Sequence, residues 1–243
     1  MYTEKLAALA AMSNKYGSNP AYVLAGGGNT SFKTADRLYV KASGHSLGTI
    51  TDQGFAVLDR ERLNLIATKQ YSDNSIEREA QAAADLLSAC ISVGRKPSVE
   101  TLLHNVISSQ FVVHLHPTVI NGLTSSVDVE AQTVRLFGSS VLYVPYSDPG
   151  YPLYKSVAAA VERYVEEHGC EPKAIMLQNH GVFVGGQTIE QIEAVYTELL
   201  SAIDSAITMP LPEGEVPQCE FISEVVPAIR MIASQGDEIK TLR

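Results

Sequence analysis

Phe111-Val-Val-His114-Leu-His116-Pro117 is the stretch on which the reading of this chain turns. Aromatic and β-branched residues dominate its start and a proline closes it, which predicts a buried strand over 111–116. Along a strand, residues i and i+2 point to the same face, so His114 and His116 project side by side. An apolar strand that turns two imidazoles one way either pairs them with buried polar groups or offers them to a metal. Neutral imidazole is the commonest nitrogen donor to Zn²⁺. The spacing by itself leaves both options open.

Working outward, two more residues join the pair. Asn179-His180-Gly181 lies between apolar runs at 174–178 and 182–184; this reads as a hairpin whose turn holds His180 at a sheet end. Glu100 follows Pro97-Ser98-Val99 at the first turn of a helix expected over 99–110, with Ser98 as its N-cap. Glu100 is either a further ligand or an ordinary first-turn acid favoured by the helix dipole. His104, one turn on, shares its face and reads as a supporting or packing residue. His168 ends a helix before Gly169, where a cation is favoured, and reads as structural. His45 lies in a glycine-rich loop, as a substrate contact or a solvent-exposed side chain.

Glycines form a second constellation. Ala25-Gly-Gly-Gly-Asn29-Thr-Ser31 and Lys41-Ala-Ser43-Gly44-His45 are either simple turns or concavities whose backbone N–H groups suit an anion such as phosphate. Ser98 at a helix start is a third anion-friendly place, and Lys33 and Lys41 bring positive charge close in sequence. Neither a Walker A motif nor a GxGxxG fingerprint is present.

Composition narrows the class. The 243 residues are 45% hydrophobic and 19% charged, enough for one domain with a sizeable core. With 27 acidic against 18 basic residues the formal net charge is −9, which speaks against nucleic acid and anionic membrane surfaces as partners. No apolar run approaches the roughly 20 residues of a bilayer span, and the N-terminus lacks a signal-peptide pattern. Cys90, Cys170 and Cys219 are odd in number and far apart, against a disulfide framework or a cysteine zinc site. A cytoplasmic location is expected.

Strands are predicted at 21–24, 37–41, 55–58, 111–116, 141–144, 174–178 and 182–184, and helices at 4–16, 76–93, 99–110, 154–168 and 189–208. Thr188-Ile-Glu-Gln191 reads as a capping box opening the last helix. Hairpins join some strands and helices join others, which implies an α/β fold, a mixed sheet with helices on its faces. The Pro210–Pro217 stretch reads as a linker to a short C-terminal helix over 222–234, within a single domain spanning 1–243.

Five motifs then stand in one order: Gly-Gly-Gly-Asn29-Thr-Ser31, Val40-Lys-Ala-Ser43-Gly44, Pro97-Ser98-Val-Glu100, Val113-His114-Leu-His116-Pro117 and Gln178-Asn-His180-Gly181. In this the chain resembles the class II aldolase/adducin family, and within it most the aldolase portion of rhamnulose-phosphate aldolase/short-chain dehydrogenase-type proteins. The resemblance implies a three-layer α/β/α sandwich around a mostly antiparallel mixed sheet, and a homotetramer. It also implies a divalent cation, zinc with manganese or cobalt as alternatives, on His114, His116 and His180, with Glu100 as fourth ligand or catalytic base. A substrate phosphate would be held by Asn29, Ser43, Gly44 and Ser98. Val99 stands where many family aldolases carry a second serine, removing one phosphate hydroxyl. Tyr146 and Tyr151 are the candidates for the family's catalytic tyrosine. No second glycine fingerprint follows, so no dehydrogenase activity is expected. The implied reaction is cleavage of a ketose 1-phosphate, of the fuculose or rhamnulose type, to dihydroxyacetone phosphate and an aldehyde. The family's epimerase, dehydratase and decarboxylase reactions, and a non-catalytic adducin-like binding role, are the alternatives.

Overall fold

The computed structural model describes residues 2–24 and 27–207. Helix α1 (Tyr2–Gly17) leads into a polar central strand β1 (Asn29–Lys33), then β2 (Arg37–Lys41), β3 (Phe55–Asp59), and helices α2 (Arg60–Ala67), α3 (Ser75–Ala89) and α4 (Thr101–Val106). Strand β4 (Phe111–Leu115) is followed by α5 (Thr118–Thr124), α6 (Val129–Phe137), β5 (Val141–Val144) and α7 (Tyr151–His168). The β6 (Ala174–Leu177) and β7 (Gly181–Gly186) hairpin then leads into α8 (Ile189–Ala206). The strands form one seven-stranded sheet in the order β3-β2-β1-β4-β7-β6-β5. Every neighbouring pair is antiparallel except β5 with β6.

Two buried clusters make the three layers. On one face Leu63, Leu86, Leu103, Val157 and Phe183 belong to a core carried by α2, α3, α4 and α7. On the other, Leu9, Phe32, Ile120, Val184 and Tyr196 belong to a core carried by α1, α5, α6 and α8. This is the expected α/β/α arrangement around a mixed sheet. No helix among the described residues is long and apolar enough to cross a membrane.

The differences from the sequence reading have local causes. No strand forms at 21–24, because the Asn19 side chain accepts the Ala21 N–H at 2.9 Å and turns the chain there. Strand β1 is instead drawn from the glycine-rich stretch. Three short helices, α2, α5 and α6, were not expected; Asp59 caps α2 by accepting the Arg62 N–H, while α5 is rich in Thr, Val and Gly, which hide a helical signal. Helix α3 stops at Ala89 because Cys90 bridges to Leu58. Half of the capping box expected at Thr188 forms: the Gln191 N–H donates to Thr188 Oγ1, while the Gln191 side chain takes the N–H of Gln187 rather than that of Thr188. The expected C-terminal helix, the domain call beyond residue 207, and Cys219 lie outside the described residues.

Helix α4 is shorter than expected, and Lys33 explains where it ends. Its ammonium is buried and donates to the carbonyl of His104 at 2.5 Å and to that of Ile107, capping the helix's C-terminal end. Burial, with Arg60 as second cause, pulls its pKa down to about 7. Lys33 is therefore committed to the fold and is not a phosphate contact. Lys33→Met leaves two buried carbonyls without a donor, and we expect a loss of about 1–3 kcal/mol in urea unfolding; an unchanged midpoint refutes this role.

Candidate active site

The central strands deliver the site. Asn29 of β1 pairs with His114 of β4, and β4 pairs with β7, so the end of β1, His114, His116 and the β6–β7 turn meet at one end of the sheet. His180 sits in that turn beside Asn179, a non-glycine residue in the left-handed region at φ 56°. The donor atoms of His114, His116 and His180 lie within 4.8 Å of one another. Nε2 of His114 is 2.9 Å from Nε2 of His116. Glu100 Oε1 completes the group, 3.2 Å from His114 Nε2 and 3.1 Å from His180 Nε2. Four residues spread over 80 positions of the chain thus converge on one point.

The cluster is held rigidly. His114 is fully buried, and its Nδ1 lies 3.1 Å from the carbonyl of Val182. A carbonyl only accepts, so Nδ1 carries a proton and the ring is fixed with Nε2 directed at its neighbours. Phe183 stacks on the same ring at 4.0 Å. Gly181 allows the close packing beneath: a Cβ there would lie 2.5 Å from His116 Cδ2 and 2.6 Å from the Leu115 carbonyl. Three imidazole nitrogens and a carboxylate oxygen, directed at one another from stiff elements, are a donor set that fits a divalent cation such as zinc.

Burial alone would raise the pKa of Glu100, but the charge of His114 and hydrogen bonds from His114 and His180 outweigh it and hold the carboxyl well below its usual range. His116 is pushed down to about 4, by burial first and then by His114 and His180. His104 is pushed well below its usual value by burial, again with His114 adding to the effect. Both histidines are therefore neutral in the folded protein at pH 6, while an unfolded chain protonates them near 6.5. The unfolded state binds more protons, so stability falls with falling pH. For metal-free protein we expect a loss on the order of 3 kcal/mol between pH 6.5 and 4 from His116 alone. A denaturation midpoint that stays flat across that window contradicts a neutral His116.

The anion-friendly residues surround Glu100. Ala42 bridges to Pro97, and the Ser43 N–H donates to the Lys96 carbonyl at 2.8 Å, which lays the 41–44 loop against the 97–100 segment. Ser43 Oγ donates to the Pro97 carbonyl at 3.2 Å. Gly44 is left-handed at φ +88° with open space where a Cβ would lie. Ser98 Oγ accepts from the Glu100 N–H at 3.3 Å and lies 3.4 Å from Asn29 Nδ2, leaving its own hydroxyl proton to donate. The Asn29 side chain is turned to Glu100, donating to Oε2 at 2.5 Å. Lys41 is buried, which lowers its pKa, and Glu100 opposes that shift. Its ammonium makes no hydrogen bond or ion pair among the described residues. His45 is exposed on the same loop.

The two tyrosines part company. Tyr146 is exposed, with its hydroxyl 3.3 Å from Asp148, and it lines a cleft of about 200 Å³ together with Val99, Glu100, Leu153, Gln178 and His180. Tyr151 is buried, its hydroxyl donating to the Lys69 carbonyl at 2.8 Å and its ring set edge-on against Tyr71 at 4.7 Å. The structure does not bring Tyr151 into the cluster. His168 stacks on Tyr164 at 4.2 Å beside the left-handed Gly169, the structural place expected for it. Sequence reading gave Ser31 no role of its own beside His104, whose Nδ1 its hydroxyl meets at 2.7 Å; two small polar residues alternating on β1, Asn29 and Ser31, were the available signal.

The profile of the family described as Class II Aldolase and Adducin N-terminal domain matches residues 7–204. The chain belongs to that family. Among its relatives, an uncharacterized oxidoreductase of Bacillus subtilis, YuxG, is 27% identical over 252 residues, covering 92% of this chain and 34% of its own. The chain thus spans about a third of the length of that relative. An L-fuculose phosphate aldolase of Methanococcus maripaludis is 25% identical over 186 residues, covering 75% of this chain and 84% of its own. Among solved structures, the N-terminal class II aldolase domain of a conserved Thermoplasma acidophilum protein superposes with a TM-score of 0.67 at 28% identity. It covers 82% of this chain and 91% of its own. The L-fuculose-1-phosphate aldolase of Thermus thermophilus shares the fold, with a TM-score of 0.56 at 18% identity, over 89% of this chain and 100% of its own. The histidine triad is able to hold a metal ion.

Proposed function

We propose that this chain is a metal-dependent aldolase that cleaves a ketose 1-phosphate, of the fuculose or rhamnulose type, to dihydroxyacetone phosphate and an aldehyde. The observation that carries the reading is the placement of Glu100, with Oε1 3.1–3.2 Å from the Nε2 atoms of two imidazoles and one side open to the cleft. His114, His116 and His180 would hold the ion, zinc in first place and manganese or cobalt as substitutes. A divalent cation bound there supplies a Lewis acid that draws negative charge away from the reacting carbon skeleton.

The chain's own residues account for the rest. In the synthetic direction Glu100, ionised in this setting, takes the proton from the carbon beside the carbonyl of dihydroxyacetone phosphate. That carbon's electron pair then forms the new bond to the aldehyde, whose oxygen is protonated; in cleavage each transfer reverses. Tyr146, on the rim of the cleft, is the proposed proton carrier for that oxygen. No lysine Schiff base is needed. The hydroxyl of Ser98, Ser43, the open Gly44 turn and the backbone of Asn29 are the proposed phosphate grip, with Lys41 lending positive charge. The working assembly is proposed as a cytoplasmic homotetramer.

Metal-loaded protein incubated with a panel of ketose 1- and 5-phosphates tests the reading. Release of dihydroxyacetone phosphate is the expected result. A C4 epimer, a dehydration product or a decarboxylation product in its place reassigns the same site to another reaction of the family. Metal-free protein with no turnover on any substrate favours a binding role.

A further inference from the structure

We infer that His104, which touches neither the cleft nor the histidine cluster's donor atoms, is a positioning residue that fixes the orientation of the Glu100 carboxylate through Asn29. The inference rests on the reading of Glu100 as the proton-transferring group.

The donors from Ser31 to Glu100 are forced one after another. A carboxylate oxygen in this state only accepts, so the atom of Asn29 that faces Glu100 Oε2 at 2.5 Å is the amide nitrogen. The amide oxygen of Asn29 is thereby turned to Nε2 of His104, with which it makes a short contact. An amide oxygen only accepts, so Nε2 of His104 carries the proton. Nδ1 is then bare and accepts from the hydroxyl of Ser31 at 2.7 Å. Each step has one solution once the first is set: Ser31 to His104, His104 to Asn29, Asn29 to Glu100.

Packing keeps the relay in register. Asn29 and Ser31 are two apart on β1 and so share a face, while His104 lies one turn along from Glu100. His104 is fully buried, with its ring edge-on to Phe183 at 5.4 Å, the same Phe183 that stacks on His114. The relay occupies Oε2, which leaves Oε1 as the oxygen facing the imidazoles. Without the His104 donor the Asn29 amide oxygen loses its buried partner, and the side chain is anchored only from its nitrogen side, by Glu100 and Ser98.

Two measurements test this on the intact protein. Long-range ¹H–¹⁵N correlation with labelled histidine is expected to show the His104 proton on Nε2 and none on Nδ1 at pH 7; a proton on Nδ1, alone or as well, overturns the inference without reference to turnover. His104→Phe, which keeps an aromatic ring against Phe183, is expected to lower kcat by about 10–100-fold, with KM and bound metal within about twofold of the parent. His104→Gln, which can still offer an N–H to Asn29, is expected to recover part of the loss. In a Glu100→Gln background His104→Phe is expected to add less than a twofold effect. Full kcat in a folded, metal-loaded His104→Phe protein overturns the positioning role while leaving Glu100 untouched. A fully active Glu100→Gln protein instead refutes the reading on which it rests.

Discussion

Glu100→Gln is expected to lower kcat by about 10²–10⁴-fold while the protein folds and retains its metal. Glutamine keeps the length and an acceptor oxygen, so Asn29 still finds a partner where it now donates to Oε2. What is lost is the ability to take and return a proton. In the native chain the carboxyl is held ionised by His114 and by hydrogen bonds from His114 and His180, against the effect of burial. That is the state a base needs before the carbon acid arrives. Bound metal measured by mass spectrometry separates this from a ligand defect. Loss of metal in parallel with turnover makes Glu100 chiefly a ligand, and near-parent turnover removes it from the chemistry.

His114→Ala is expected to abolish both metal retention and turnover, with affinity for the ion down by at least about 100-fold. His114 is the ring on which the others lean: its Nε2 faces His116 at 2.9 Å and Glu100 at 3.2 Å. Its other nitrogen is tied to the Val182 carbonyl, so the ring's direction is fixed before any ion binds. The alanine also leaves a space beside Phe183 and the Val182 carbonyl without its donor, and a lower melting temperature accompanies the loss. A folded variant that still carries a stoichiometric ion after dialysis places the metal elsewhere.

Much of this arrangement was legible in the residues because it follows from short-range rules. The alternation in Phe111–Leu115 put His114 and His116 on one side without any knowledge of what they meet. The turn at Asn179-His180-Gly181 was legible for the same reason, since an αL-tolerant residue and a glycine between apolar runs leave few conformations. Strand β1 was not legible. Asn-Thr-Ser-Phe-Lys follows glycines and is mostly polar, and its burial makes sense only once Ser13, His104, Glu100 and the α4 carbonyls supply partners from distant parts of the chain. Tyr151 shows the converse. Its position near a Pro-Tyr-Ser-Asp-Pro-Gly turn suggested the cleft, whereas the start of α7 rotates the hydroxyl toward the Lys69 carbonyl, a choice made by tertiary packing.

Gly181 contributes no functional group, yet it sets a limit on how the protein can vary. The room it leaves is taken up by the edge of one imidazole and by a strand carbonyl, so even a single methyl at this position must push two sheet strands apart or tilt a ring. If the proposed reaction is the right one, selection for it would be written as strongly in a missing side chain as in His114, His116, His180 and Glu100. Homologous chains that abandon catalysis would be free to fill that gap, and a larger residue here would mark such a lineage before any histidine had changed.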